Sequence, residues 1–76
     1  MAMKERMIRL NETNDVQEFV KAAENCDFDI NLIYRHMFID AKSILGVFGL
    51  MMNDMKVSYT GENPVFDQIV QKYAIA

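Results

Sequence analysis

The chain has 76 residues, 51% of them hydrophobic and 25% charged, which is one small globular domain spanning residues 1–76. A core of this size is marginal, because so short a chain buries only about 60% of its unfolded surface. A lone Cys26 excludes a disulfide framework or a cysteine zinc site, and points to a reducing, cytoplasmic setting. Eleven acidic against eight basic residues give a net charge of −3, the opposite of a nucleic-acid binder's basic stripe.

No membrane segment is expected. The longest apolar stretch, Ile44 to Met52, is half the roughly 18 residues a spanning helix needs. The charged start Met-Ala-Met-Lys-Glu-Arg lacks the apolar run of a secretory signal.

In chain order, residues 5–10 place Ile8 and Leu10 on one face and Arg9 on the other, which predicts a first strand. Asn14 suits a helix N-cap, and Gln17 three residues on completes a capping box. Val16, Phe19, Val20 and Ala23 then recur at helical spacing up to Asn25, a residue that tolerates a left-handed C-terminal cap. Phe28, Ile30, Leu32 and Tyr34 alternate with Asp27, Asp29, Asn31 and Ile33 as in a half-buried strand. Arg35-His36 forms the turn to a returning strand, residues 37–41.

Ser43 can cap a short helix carrying Ile44, Leu45, Val47, Phe48 and Leu50, closed by Asn53-Asp54. A fourth strand follows at residues 56–60, with Val57 and Tyr59 on one face. Asn63 and Pro64 are an N-cap and a first helical residue, and the last helix stripes Phe66, Ile69, Val70 and Tyr73. The order βαββαβα with one-sided elements predicts an α+β fold, a four-stranded antiparallel sheet with three helices on one face.

This order, with Asp40-Ala41-Lys42-Ser43-Ile44-Leu45-Gly46-Val47-Phe48-Gly49-Leu50, resembles the histidine-containing phosphocarrier family, HPr, of the bacterial sugar phosphotransferase system. Lys42 to Leu50 is similar to the family's Lys-Ser-Ile-Met-Gly-Val-Met-Ser-Leu motif, and Ala22 to Leu32 resembles its first helix exit and second strand. The resemblance implies an open-faced β-sandwich. The family's Gly-x-His-Ala-Arg-Pro motif at the first helix is missing. Leu10-Asn11-Glu12-Thr13-Asn14-Asp15-Val16 stands there, so neither the phosphoryl-accepting histidine nor its arginine carries over. Glu12 and Asp15 would also repel the phosphate that a helix N-terminus otherwise attracts.

No catalytic residue is therefore assigned, and the chain is expected to be a regulatory interaction module and not an enzyme. The resemblance makes Ser43 a regulatory phosphorylation site for an HPr kinase, although helix capping alone also accounts for a serine there. It makes Ile44, Leu45 and Phe48 a docking surface, extended by Met51. The partners it implies are HPr kinase, a transcriptional regulator of carbon catabolite repression, or other phosphotransferase-system proteins. Core packing accounts better for Val47 and Leu50.

Two alternatives remain: a phosphocarrier using a relocated histidine, His36, beside Arg35, or a vestigial domain. His36 otherwise reads as a solvated turn residue. Asp27, Asp29 and Asp40 alternate along strands and do not space as a calcium loop, so no metal or cofactor is expected. Cys26 reads as a small buried hydrophobe.

Overall fold

The computed structural model describes residues 2–75. The elements are β1 (Lys4–Ile8), α1 (Thr13–Glu24), β2 (Ile30–Tyr34), β3 (Met37–Asp40), α2 (Ile44–Phe48), β4 (Met55–Tyr59) and α3 (Pro64–Tyr73), in the expected order. The strands form one antiparallel sheet in the order β1-β4-β2-β3, with β4 and β2 in the middle. The three helices pack over one face of it: α1 touches both α2 and α3, α2 rests on β3, and α3 rests on β1.

Alternation along the strands sends Ile8, Ile30, Leu32, Met55, Val57 and Tyr59 towards the helices. There they meet Val16, Phe19, Val20 and Ala23 of α1, Val47 of α2, and Phe66 and Val70 of α3, all buried. Phe66 anchors the aromatic centre, with its ring centroid 5.5 Å from Phe19 and 5.0 Å from Tyr59. The other sheet face is open.

Two helix starts follow local chemistry. Asn63 Oδ1 accepts the Phe66 N–H at 3.0 Å with Pro64 in the first turn, and Ser43 Oγ accepts the Gly46 N–H at 3.4 Å. The start of α1 differs from expectation. Its N-cap is Glu12, not Asn14, and the capping-box partner is Asp15, not Gln17. The reason is that the Asp15 carboxylate reaches back to the N–H groups of both Asn11 and Glu12, at 3.1 Å each. The helix ends at Asn25 as expected, but Asn25 keeps right-handed dihedrals (φ −79°).

Strand limits shift for tertiary reasons. β1 stops at Ile8 because the next residues turn to other partners: Arg9 N–H donates to Tyr73 O, and Leu10 O accepts from Met52 N–H. β2 begins at Ile30 and not at Phe28. The Phe28 ring lies over Tyr59, with centroids 5.9 Å apart, and closes on Gly61, where a Cβ would fall 2.0 Å from it.

Candidate functional site

α2 is a five-residue helix with only one fully buried side chain, Val47. Glycine at position 46 lets it lie close on β3, since a Cβ there would come within 2.7 Å of Ile39 Cγ2. Lys42, just before the helix, donates from Nζ to Cys26 O at 2.9 Å and ties α2 to the end of α1. Held this way, α2 turns Ile44 (39% exposed) and Leu45 (81% exposed) to solvent. Phe48 and Met51 are half-buried and pack partly on the core, while Leu50 joins it fully. Beyond α2 and Leu50 the chain turns through Met52, which adopts a left-handed φ of 69° and exposes its side chain. Ser43 is exposed at the head of this surface.

The N-terminus of α1 carries no imidazole. The chain's own acid sits there: Asp15 Oδ2 accepts from the N–H of the N-cap Glu12 and of Asn11 just before it, and Asp15 Oδ1 accepts from the Tyr73 hydroxyl at 3.4 Å. Arg9 near this terminus is engaged by Asn11 Oδ1 at 2.9 Å and by Asp54 at 3.4 Å. A carboxylate in the first turn works against the approach of a phosphate to this terminus.

His36 lies exposed in the β2–β3 turn, far along the chain from α1. Arg35 beside it has φ 57° and places its guanidinium 5.2 Å from the Tyr34 ring centroid. The structure therefore gathers Ser43, Ile44, Leu45, Phe48 and Met51 on and around α2, and leaves His36 apart from them. Cys26 is buried, and burial raises its thiol pKa. Among the described residues, no three His, Cys, Asp or Glu side chains group as a metal site, and no helix is long and apolar enough to cross a membrane.

The sequence gives no sign of two features. One is a cleft of about 480 Å³ between β1 and α3, lined by Lys4, Arg6, Tyr59, Asp67 and Gln71 among others. Lys4 there bridges Glu62 at 3.1 Å and Asp67 at 3.3 Å, and the Tyr59 hydroxyl donates to Asp67. The other is a tie between α3 and α1: the Tyr73 hydroxyl and Lys72 both donate to Glu18, which lowers the Glu18 pKa. The Lys4 bridges and the Glu18 tie join residues more than 50 positions apart, which no local pattern can report.

The open-faced sandwich with this strand order is the fold of the HPr phosphocarrier proteins. A phosphocarrier protein HPr from Bacillus anthracis str. Ames superposes with a TM-score of 0.72 at 17% identity, covering 96% of this chain and 99% of that one. HPr-C-His from Thermoanaerobacter tengcongensis superposes with a TM-score of 0.71 at 19% identity, over 95% and 93% of the two chains. No family model and no curated protein matches the sequence.

Proposed function

We propose that the protein is a non-enzymatic, HPr-like regulatory module of a bacterial phosphotransferase system, working in the cytoplasm without carrying phosphate on histidine. Its partners dock on Ile44, Leu45, Phe48 and Met51, and phosphorylation of Ser43 switches that surface. The observation that carries the reading is a contrast between two helix ends. The α1 terminus, where the resembled family keeps its phosphoryl acceptor, has no imidazole and carries the Asp15 carboxylate, bonded to the N–H groups of Asn11 and Glu12. At α2 an exposed serine hydroxyl stands beside Leu45, the most exposed large apolar side chain among the described residues.

A kinase would move the γ-phosphoryl group of ATP to Ser43 Oγ; the hydroxyl proton leaves and ADP is released. Two negative charges would then stand at the edge of the apolar surface and change which partners it accepts. The Asp40 carboxylate accepts the Lys42 N–H at 2.9 Å, so part of its charge is already engaged.

The test is incubation with an HPr kinase and ATP, followed by mass-spectrometric site mapping with an ordinary HPr as positive control. Labelling at Ser43, abolished by Ser43→Ala, is expected. No label on this protein while the control is labelled defeats the regulatory reading. A parallel arm with phosphoenolpyruvate and enzyme I tests His36: an acid-labile phosphate lost in His36→Ala would make the protein a phosphocarrier.

A further inference from the structure

β3 is an edge strand with unusual contents. Its burial is low throughout: Met37, Phe38 and Asp40 are exposed and only Ile39 is half-buried. Phe38 is 69% exposed, although edges normally carry charge, proline or a bulge to discourage pairing. The hydrogen-bond alternation shows what this edge offers. Ala41 N–H donates to Ile30 O at 2.9 Å, so Ala41, Ile39 and Met37 face β2 with their backbone groups. Phe38 and Asp40 then point theirs outward. The Asp40 carbonyl accepts from Ser43 N–H, but the Phe38 N–H and C=O and the Asp40 N–H have no partner among the described residues.

The same strand is complementary to itself. In an antiparallel pairing with Phe38 opposite Phe38, Met37 falls opposite Ile39, and His36 opposite Asp40. Phe38 exchanges two backbone hydrogen bonds with its twin. On each side the Asp40 N–H meets the His36 carbonyl. Phe38 and Asp40 lie on the open face of the sheet, where Phe38 already neighbours Ile33 across β2. The pairing therefore makes a continuous apolar row of Ile33, Phe38 and their twins. At both ends an acidic Asp40 meets a histidine, and no like charges are opposed.

We propose that β3 pairs with β3 of a second copy of this chain about a two-fold axis at Phe38. The two four-stranded sheets become one of eight strands. The contact is isologous, so it closes as a dimer and does not propagate. One short strand buries less than the roughly 1,200 Å² of a standard interface, so the dimer is weak and concentration-dependent.

Sedimentation velocity from about 10 μM to about 1 mM should show a shift from monomer towards dimer, a range fitting weak association. Phe38→Lys should weaken the dimer at least about 10-fold, because a lysine at the axis meets its own twin. Its side chain is exposed in the monomer, so circular dichroism should report an unchanged fold. The register is tested by Phe38→Cys. Directly opposed residues of this pair type have Cα atoms about 5.5 Å apart, within disulfide reach. Mild oxidation should cross-link Phe38→Cys far more than Val65→Cys, another exposed position on α3. A chain that stays monomeric at about 1 mM, a dimer that survives Phe38→Lys, or equal cross-linking at positions 38 and 65 would overturn the proposal.

Discussion

Replacing Asp15 by alanine tests whether the α1 terminus is held by the chain's own carboxylate. Asp15 Oδ2 accepts two backbone N–H groups, from Asn11 and Glu12, each at 3.1 Å. Losing a capping side chain costs about 1 kcal/mol, and up to about 2 in well-ordered hosts. The loss of negative charge against the helix dipole adds about 0.3–1 kcal/mol. Asp15→Ala should thus cost about 2 kcal/mol, and a chain of this size loses roughly 4–8 °C of Tm per kcal/mol. Thermal melts followed by circular dichroism should fall by about 8–16 °C. The same substitution removes a negative charge from the first turn and frees the N–H groups of Asn11 and Glu12 beside it, so phosphate should stabilise the variant more than chloride does at matched ionic strength. The native chain should show no such preference. A cost below about 0.5 kcal/mol would mean that the terminus is satisfied without Asp15. A native chain already stabilised by phosphate would refute the claim that the carboxylate keeps anions out.

Gly61→Ala should destabilise by about 1–3 kcal/mol, since the new Cβ falls 2.0 Å from Phe28 Cδ1 and must drive the ring off Tyr59. Adding Phe28→Ala should relieve the clash, and strictly additive losses in the double variant would disprove it. Met52→Gly should raise stability by up to about 1 kcal/mol, because glycine removes the Cβ penalty at φ 69° while Met52 N–H still donates to Leu10 O. A lower melting temperature would show that the Met52 side chain supports the fold. Burial, and then hydrogen bonding to Asp67 and Glu18, raise the Tyr59 and Tyr73 pKa values above the ordinary 10.0. The folded state holds these protons more tightly than the unfolded chain, so their contribution is intact below pH 10 and is lost as pH rises beyond it. Melting temperatures should fall above about pH 10, less steeply in Tyr73→Phe; an unchanged slope would remove Tyr73 from the account.

The parts of the fold legible in the sequence are those decided within a few residues. Asn63 with Phe66 and Ser43 with Gly46 are contacts across one helical turn, and both form. The stripe Val16, Phe19, Val20, Ala23 buries as its spacing implies. The start of α1 was harder, because glutamate is an uncommon cap and its partner Asp15 also suits an ordinary first turn. Strand ends escaped local reading for another reason. β1 is cut short by Tyr73 and Met52, more than 40 residues away, and Phe28 leaves β2 to cover Gly61. At the candidate site, a five-residue helix cannot bury every side, which anticipated the exposure of Ile44 and Leu45. The half-burial of Phe48 and Met51 depends on where the helix axis lies over β3, and Gly46 sets that.

The methionines connect the two surfaces. Met55 fills the core, as an adaptable side chain does, but Met3, Met7, Met37 and Met52 are exposed. Met52 lies just beyond α2, and Met37 opens β3, the strand on which α2 rests. Strands in a sheet are about 4.8 Å apart, so a second copy paired at β3 would stand directly beside the strand on which α2 rests. A kinase large enough to cover Ser43 and Leu45 would then meet the second copy. If both proposals hold, phosphorylation and self-pairing compete. The initial labelling rate per molecule at Ser43 should fall as the native protein is concentrated into its dimer range, and stay flat for Phe38→Lys. Equal rates for the two proteins at every concentration would show that the α2 surface remains accessible in the pair, and would separate docking from association.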